Sequence, residues 1–363
     1  MIVPSFRSFL VLLALLLNGV ACHHAELELP LGVAGNSGAS ASAGEANFGG
    51  AAGEVGSADA GGDAGAGDAG AGDAGVAPYH MPPRVLSVTP ADAATGVLKD
   101  TNVVIQFSAP MNQALTVKAV HAMLGSDVQV TWGRDGTQLT LDPKQDLSYA
   151  TGSTAVAVEP LQYSVSIASS AADLAGNPLD SAFAISFHTA CELTVNMTQD
   201  DSLGGWVTDS GDPTDMSKFV RPWIGDDLSD YPMRGFVSFD LKRLPDTLEA
   251  ITQATLTVTQ HDVQGEPFSL GALELDHVSF AALGLEAYKA EAVPSYGPLF
   301  AELTTEPVSV DVTATVRADF AAGPADTIRS QFRFAFESGS NMDGTSDTLI
   351  LYPISLRVSY LVP

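Results

Sequence analysis

Tyr163-Ser164-Val165-Ser166-Ile167 alternates large apolar residues with hydroxyl residues over its whole length. Successive side chains of a β-strand point to opposite faces, so this pattern predicts a strand with one buried and one solvated face. The alternation recurs from Val103 to Phe107 and from Phe183 to Phe187, and turn residues separate such runs. Because no sustained helical stripe interrupts them, the pattern predicts a β-sandwich.

The composition is strongly acidic, with 363 residues and a formal net charge of −27. A phosphate backbone needs a basic surface, so nucleic acid is excluded as the expected partner. Anionic lipid head groups are repelled for the same reason. The length allows about two folded domains, and the composition predicts no oligomeric state.

Residues 1–21 have the organisation of an export signal. Arg7 supplies the positive charge, the stretch from Phe9 to Leu17 is almost wholly apolar, and small residues precede Cys22. The apolar run is too short to span a bilayer, which needs roughly 20 residues. The segment therefore predicts export and does not by itself anchor the chain.

Cys22, preceded by Val20 and Ala21, resembles the lipobox cysteine of bacterial lipoproteins. The resemblance implies a diacylated thiol at the mature N-terminus, and hence a membrane-anchored protein of the cell envelope. His23 stands where an aspartate retains some lipoproteins in the inner membrane, which implies sorting to the outer membrane. The alternative is an ordinary secretory signal cut near Ala21 or Ala25.

Residues 22–81 are predicted to form a flexible linker. Gly, Ala, Ser and Asp dominate, and the stretch from Gly62 to Gly75 is a five-residue repeat of Gly, Asp and Ala. Such small side chains bury too little apolar area to offset the entropy of ordering. A tether of this kind is useful when one end is fixed, which favours the anchor at Cys22.

Four motifs follow one another in residues 82–190 and resemble those of the SbsA-type bacterial Ig-like domain. The resemblance implies a seven-stranded sandwich that serves as a spacer or adhesive module on bacterial surfaces, without catalysis. Ala109 departs from the acidic residue usual in this family. The motifs are Pro82 to Val97, Phe107-Ser108-Ala109-Pro110-Met111-Asn112, Asp173-Leu174-Ala175-Gly176-Asn177-Pro178-Leu179 and Phe187-His188-Thr189.

Residues 191–363 continue the alternation with longer loops, which predicts a larger β-sandwich of the jelly-roll type. A short helix is expected between Ala314 and Ala321. The region resembles the DNRLRE family of β-sandwich modules, which is related to carbohydrate-binding modules. The motifs are Arg234 to Leu241 with Leu244-Pro245, Ala254 to Val258, Val310-Asp311-Val312-Thr313 with Val316, and Pro353 to Tyr360.

Aromatic residues near acidic ones are the candidate ligand contacts in this region. A sugar presents an apolar face and hydroxyl edges, which suit an exposed aromatic platform beside carboxylates. For each aromatic the alternative is packing within its own loop. The candidates for polysaccharide binding are Trp206, Trp223, Tyr231 and Tyr296.

Asn341, Asp343 and Asp347 surround Gly344 and form a candidate calcium site. Carboxylate and amide oxygens around a glycine turn are typical of calcium loops, but the full EF-hand spacing is missing. The alternative is an Asp-Gly turn without metal. Cys191, at the junction of the two regions, is expected to be a buried, inert thiol.

The sequence contains none of the short motifs of metalloproteases, nucleophilic hydrolases or phosphate-binding loops. We therefore predict a lipid-anchored, non-catalytic envelope protein that presents β-sandwiches for adhesion or polysaccharide binding. One alternative is a purely structural surface spacer. Another is a glycan-active enzyme that uses paired carboxylates, which so acidic a chain offers by chance.

Overall fold

A computed structural model describes residues 81–154, 156–210, 221–322 and 328–363 of the chain. The predicted all-β fold is confirmed, because strands supply most of the regular structure. The predicted export signal (1–21), Cys22 and all of the predicted linker (22–81) except Met81 lie outside the described residues. Within the described ranges, no helix has the length and apolar character needed to cross a bilayer.

The first region folds into two antiparallel sheets. One has the strand order β1-β2-β5-β4 and the other the order β3-β7-β8. The strands are β1 (Val85–Thr89), β2 (Val103–Phe107), β3 (Val120–Met123), β4 (Val128–Trp132), β5 (Gln138–Pro143), β6 (Ala150–Ser153), β7 (Gln162–Ile167) and β8 (Phe183–His188).

The inner faces of these two sheets form one hydrophobic core. Phe107 and Phe187 are both buried in it, as the alternation of their strands predicts. Phe107 stacks on Trp132, and Phe187 stacks on Tyr163. This region is therefore a sandwich of two sheets that face each other across aromatic and aliphatic side chains.

Two of the sequence motifs meet in space. Met111 pairs with Asp173 in an isolated antiparallel bridge, and the Leu174 N–H donates to the Pro110 carbonyl. The Asp173 carboxylate accepts hydrogen bonds from the N–H groups of Ala175 and Asn177 at 2.9 Å each. The motifs therefore close one turn against the other, and Asp173 makes the backbone bonds expected of a turn residue.

A helix that the alternation does not predict follows the first of these motifs. Helix α1 (Gln113–Ala119) begins after Asn112, whose side chain accepts a hydrogen bond from the Leu115 N–H. Asn is a favoured N-cap residue, and this helix buries only Thr116. So short a helix with one buried residue has no apolar stripe that periodicity could detect.

The second region forms the rest of the β-structure. Its strands join in the order β15-β14-β17-β12-β11-β18-β13-β16, with β10 beside β12 and β9 beside β18. The strands are β9 (Cys191–Thr198), β10 (Gly205–Thr208), β11 (Trp223–Asp226), β12 (Pro232–Asp240), β13 (Ala250–Gln264), β14 (Leu273–His277), β15 (Ser295–Phe300), β16 (Val308–Asp311), β17 (Arg329–Phe336) and β18 (Asp347–Val362).

Strands β13 and β18 are the longest in the fold and pair with each other along most of their length. The first part of β18 also pairs with β11, and its second part pairs with β9. Their buried residues share one core with those of β12 and β17, which makes the region a second, larger sandwich. Helix α2 (Leu285–Lys289) packs beside β10, and helix α3 (Thr313–Ala322) packs on β13 and β17 with Val316 in the core. Helix α3 covers the predicted helix from Ala314 to Ala321.

Strand β6 connects the two regions, because it belongs to the first by sequence and pairs within the sheet of the second. β6 pairs in parallel with β9, and its Ala150 is part of the larger core. Gly96 lies against Glu249 and Pro363, where an added Cβ would come within 2.8 Å of the Glu249 carboxylate. The division at residues 190 and 191 stays a prediction, because β6 belongs to the second sheet by pairing and to the first region by sequence.

Cys191, at the start of β9, is fully buried and disulfide-bonded. The expectation of an unreacted thiol is therefore wrong. The only other cysteine in the sequence is Cys22, which lies outside the described residues.

Candidate functional site

Trp206 on β10 and Trp223 on β11 come together in the larger sandwich, where both strands pair with β12. Their ring centroids are 6.4 Å apart, and the rings are stacked at 30°. The residues that follow them, Val207 and Ile224, are fully buried. Val207 packs in a small cluster with Phe236, whereas Ile224 packs in the main core. The two tryptophans themselves are half-buried.

Strand register links Trp223 to an exposed aromatic residue of β18. Trp223 is paired with Ile350, and directly opposed residues of antiparallel strands share a face. Tyr352, two residues further along β18, lies on that face and is 45% exposed. The Arg221 guanidinium sits over the Tyr352 ring at 4.3 Å, within the range of a cation–π contact.

His261 completes this group of side chains. Its ring lies 5.7 Å from Tyr352, edge to face, and its Nε2 is 2.7 Å from Arg221 Nη1. A guanidinium can only donate, so His261 Nε2 is the acceptor in this contact. We call Trp206, Trp223, Tyr352, Arg221 and His261 the aromatic face.

A β-bulge explains the position of His261. The register of β13 against β18 shifts between Gln260 and Asp262, which leaves His261 without an opposed residue. Bulges re-aim side chains and are frequent next to functional sites. The bulge therefore frees the His261 ring from the strict alternation of an unbroken strand. The ring lies against Tyr352.

Two open hollows flank Tyr352 and His261. One, of about 630 Å³, is lined by His261, Asp262 and Thr304 among others. The other, of about 450 Å³, is lined by Asp201, Arg221 and Tyr352 among others. Each hollow thus combines a carboxylate with a side chain of the aromatic face, and the two together offer hydrogen-bond acceptors, a guanidinium donor and an apolar ring.

Only two of the four predicted aromatic ligand contacts lie on this face. Tyr231 is exposed in the turn before β12, where its N–H donates to Asp227. Tyr296 packs on Phe332 at the core, and its hydroxyl is hydrogen-bonded to Thr315. In the parts of the chain that the structure describes, no ring contact joins either tyrosine to the tryptophan pair.

The predicted calcium residues form a hydrogen-bonded loop. The Asn341 amide nitrogen donates to Asp343 at 3.1 Å and to Asp347 at 2.8 Å. Bonds from the Thr345 hydroxyl and N–H hold the pKa of Asp343 below its usual 3.8. No three His, Cys, Asp or Glu side chains are grouped as metal ligands within the described ranges, and calcium binding stays a prediction.

Sequence reasoning missed Arg221, Tyr352 and His261. The signal for Tyr352 was present, since Leu351-Tyr352-Pro353 places an aromatic residue beside a proline in the last strand. The sequence around Arg221 and His261 gives no such signal. Arg221 contacts Tyr352 of β18, and His261 is positioned by a bulge in β13. The chain has 43 acidic and only 16 basic residues. The scarcity of basic residues was therefore the one reason to single out Arg221.

The Ig-like character of the first region is confirmed by comparison with known proteins. Residues 80–189 match the family described as a bacterial Ig-like domain. This match covers less than a third of the chain and agrees with the resemblance predicted for residues 82–190. A comparison with curated proteins finds no match.

Solved structures show distant likenesses. The N-terminal part of the bacterial S-layer protein SbsC is 14% identical (44% of this chain, 40% of that chain, TM-score 0.21). SGBP-B from a complex xyloglucan utilization locus in Bacteroides uniformis is 10% identical (76% and 73%, TM-score 0.20). An L,D-transpeptidase from Mycobacterium smegmatis is 13% identical (59% and 73%, TM-score 0.21). These TM-scores are too low to carry any inference about function.

Proposed function

We propose that this chain is a non-catalytic protein of the bacterial cell envelope whose larger sandwich binds polysaccharide. The observation that supports this proposal is the aromatic face. Trp206 and Trp223 lie beside each other, Tyr352 shares a sheet face with Trp223, and Arg221 and His261 contact Tyr352. The Ig-like region serves as a spacer that holds this sandwich away from the membrane.

Polysaccharide is the ligand that suits this chemistry. Aromatic rings bury the apolar face of a sugar, and the carboxylates of Asp201 and Asp262 with the Arg221 guanidinium can bond its hydroxyl groups. An extended chain of sugars can contact several points along one sheet. The strands over the motifs from Arg234 to Leu241 and from Pro353 to Tyr360 support the proposed likeness to DNRLRE modules.

The proposed location rests on residues 1–81 of the sequence. We propose that residues 1–21 direct export, that Cys22 carries the lipid, and that the following linker reaches from the outer membrane to the sandwiches. Acylation and a disulfide at Cys22 exclude each other, because both use the same sulfur atom. In the acylated protein, Cys191 therefore cannot be bonded to Cys22.

The binding experiment measures the affinity of the purified folded chain for polysaccharides found by a glycan array. Trp206→Ala and Trp223→Ala are each expected to weaken binding by about thirtyfold, because a buried aromatic anchor contributes roughly 2 kcal/mol. Tyr352→Ala should weaken binding of the same polysaccharide, since the Tyr352 ring shares a sheet face with Trp223. Far-ultraviolet circular dichroism checks that each variant keeps its fold.

Leu228→Ala is the matched control, because Leu228 is exposed in the turn after β11 and should leave binding unchanged. If no polysaccharide binds the parent chain, the structural spacer is the better description. If a bound polysaccharide is cleaved, the chain is a glycan-active enzyme. Unchanged affinity in all three aromatic variants would place the ligand elsewhere.

The anchor experiment expresses the whole chain in a Gram-negative host and follows it through membrane fractionation. We expect the parent in the outer membrane and Cys22→Ser in the soluble envelope fraction. Mass spectrometry of the N-terminal peptide should find diacylglycerol on Cys22. An unmodified Cys22, or a peptide in which Cys22 is bonded to Cys191, would refute the anchor. The Cys191→Ser variant removes the possible disulfide while leaving Cys22 free to be acylated.

A further inference from the structure

Two buried carboxylates face each other at one end of the larger sandwich. Asp226, the last residue of β11, is directly paired with Asp347, the first residue of β18. Their neighbours on the same face, Ile224 and Leu349, are fully buried. Asp226 is 0% exposed and Asp347 is 2% exposed, so both acids point toward the core side of the sheet.

One of the four carboxylate oxygens has no hydrogen-bond partner. Asp226 Oδ1 accepts from the Asp347 N–H at 3.2 Å, whereas Asp226 Oδ2 is buried and accepts nothing. Asp347 Oδ1 accepts from the Glu266 N–H at 2.6 Å, and its Oδ2 accepts from Asn341 at 2.8 Å. A buried, unsatisfied carboxylate oxygen is costly, and its presence points to a missing positive group.

Side chains of this protein do not supply that positive group. Among the described residues, no lysine, arginine or histidine forms an ion pair with Asp226 or Asp347. Asp343 is bonded to the same Asn341, and Asp230 accepts from the Gly344 N–H at 3.0 Å, which adds two more acids nearby. Like charges directly opposed across strands are destabilising, and more so away from water.

Two glycines let the backbone approach Asp347 closely. A Cβ on Gly225 would lie 1.8 Å from the Asp347 carbonyl oxygen, and a Cβ on Gly265 would lie 2.2 Å from Asp347 Oδ1. Both glycines have positive φ, at +135° and +67°. The backbone therefore closes around a carboxylate where larger residues would push it away.

We propose that a calcium ion binds between Asp226 and Asp347 and braces this end of the sandwich. Asp226 Oδ2 is the oxygen that the fold leaves for it. Because no three acidic side chains are grouped here, the remaining ligands are the Asn341 amide oxygen and main-chain carbonyls, which calcium accepts readily. The Asn341 amide oxygen accepts from the Asp343 N–H at 3.2 Å, and a half-turn of the amide gives up this bond to bring the oxygen beside Asp347.

This proposal changes the ligand set that the sequence predicts. Asn341 and Asp347 remain, and Asp226 joins them from another strand. Asp343 is left out, because its carboxylate accepts from the Thr345 N–H and hydroxyl. The ion neutralises a pair of buried charges, so its role is to stabilise the fold. That role is independent of polysaccharide binding by the aromatic face.

The test uses the purified full chain in EDTA and in calcium, with thermal unfolding and a count of bound calcium as readouts. At a calcium concentration one hundred times the Kd, the transition of the larger sandwich should rise by about 5–10 °C. Magnesium should give a smaller shift, because it demands stricter geometry and dehydrates reluctantly. Equilibrium dialysis of the parent chain should find one tightly bound calcium.

Asp226→Asn separates the ion from simple charge repulsion. In EDTA this variant should be at least as stable as the parent, because one buried charge is gone, but calcium should no longer raise its Tm. Asp246→Asn, in an exposed loop, is the control and should keep the full calcium shift. If the parent chain binds no calcium in dialysis and shows no shift, the proposal is wrong, whatever the variants do.

Discussion

Gly225→Ala is expected to lower the free energy of unfolding of the larger sandwich by about 2–6 kcal/mol. The added Cβ would lie 1.8 Å from the Asp347 carbonyl oxygen, which belongs to the paired strand and cannot rotate away. The φ of +135° adds strain of about 1–3 kcal/mol for any residue with a Cβ. Overpacking contributes a similar amount, because β11 must separate from β18 to make room. Domains are stable by about 5–15 kcal/mol in all, so much of this reserve is lost.

Chemical unfolding monitored by tryptophan fluorescence measures this loss, because Trp223 lies on β11 and its ring stacks on Trp206. Gly297→Ala is the matched control, since Gly297 also has positive φ at +73° but open space around its Cβ position. It should show only the cost of backbone strain. Equal losses in the two variants would mean that the close approach of β11 and β18 contributes nothing.

The strands of both sandwiches follow from the sequence because their signal is local. Val103–Phe107 and Phe183–His188 alternate in the sequence and form strands whose inward residues are buried. Helix α1 and strand β6 do not follow in this way. The helix is capped by Asn112 and buries one residue, and β6 is a strand because β9 lies beside it. Tertiary pairing, which a single sequence cannot reveal, decides such short elements.

The candidate sites likewise have a local part that the sequence predicts and a tertiary part that it does not. Trp206 and Trp223 can be chosen from the sequence as large aromatic residues among acids, but only the register of β10, β11 and β12 makes them neighbours. Asp226 was missed because two aspartates after Ile224-Gly225 are typical of a turn. Its partner Asp347 lies 121 residues away, and that distance is closed by the pairing of β11 with β18.

The stability of the larger sandwich is expected to fall as the pH rises through the neutral range, because of His277. His277 Nδ1 lies 2.6 Å from the Val293 carbonyl oxygen, and Nε2 lies 3.1 Å from Asp319 Oδ2. Both partners are acceptors, so both ring nitrogens must donate and the imidazole is positively charged. The pair joins α3 to β14, and its side chains are 15% and 17% exposed.

The sign of the effect follows from the pKa of His277. Burial lowers this pKa, but the hydrogen bonds with Asp319 and Val293 and the charge of Asp319 outweigh it and raise the pKa above 6.5. The stabilisation is therefore complete below about pH 6.5 and is lost as the pH rises through the raised value. Two nearby groups, Tyr296 and Asp311, have pKa values shifted away from this window. Burial raises the pKa of Tyr296 from 10.0, and bonds from Thr313 lower that of Asp311 from 3.8.

Asp319→Asn should remove both the stabilisation and its pH dependence. At pH 6 we expect a loss of about 2–3 kcal/mol, below the range for fully buried pairs because this pair is partly exposed. The Ser330 hydroxyl, which donates to Asp319 at 2.6 Å, can still donate to the asparagine oxygen, so the fold should persist. Thermal unfolding between pH 5.5 and 8.5 measures both effects.

His121→Gln is the control for this experiment, because His121 is exposed on β3 in the Ig-like region and should leave the profile of the larger sandwich unchanged. His277→Gln should reproduce the flat profile of Asp319→Asn, since either change removes the ion pair. If the parent chain is equally stable at pH 6 and pH 8.5, or if Asp319→Asn keeps the slope of the parent, His277 does not carry its charge in the folded state. The contact with α3 would then be a neutral hydrogen bond, worth about 1 kcal/mol at every pH.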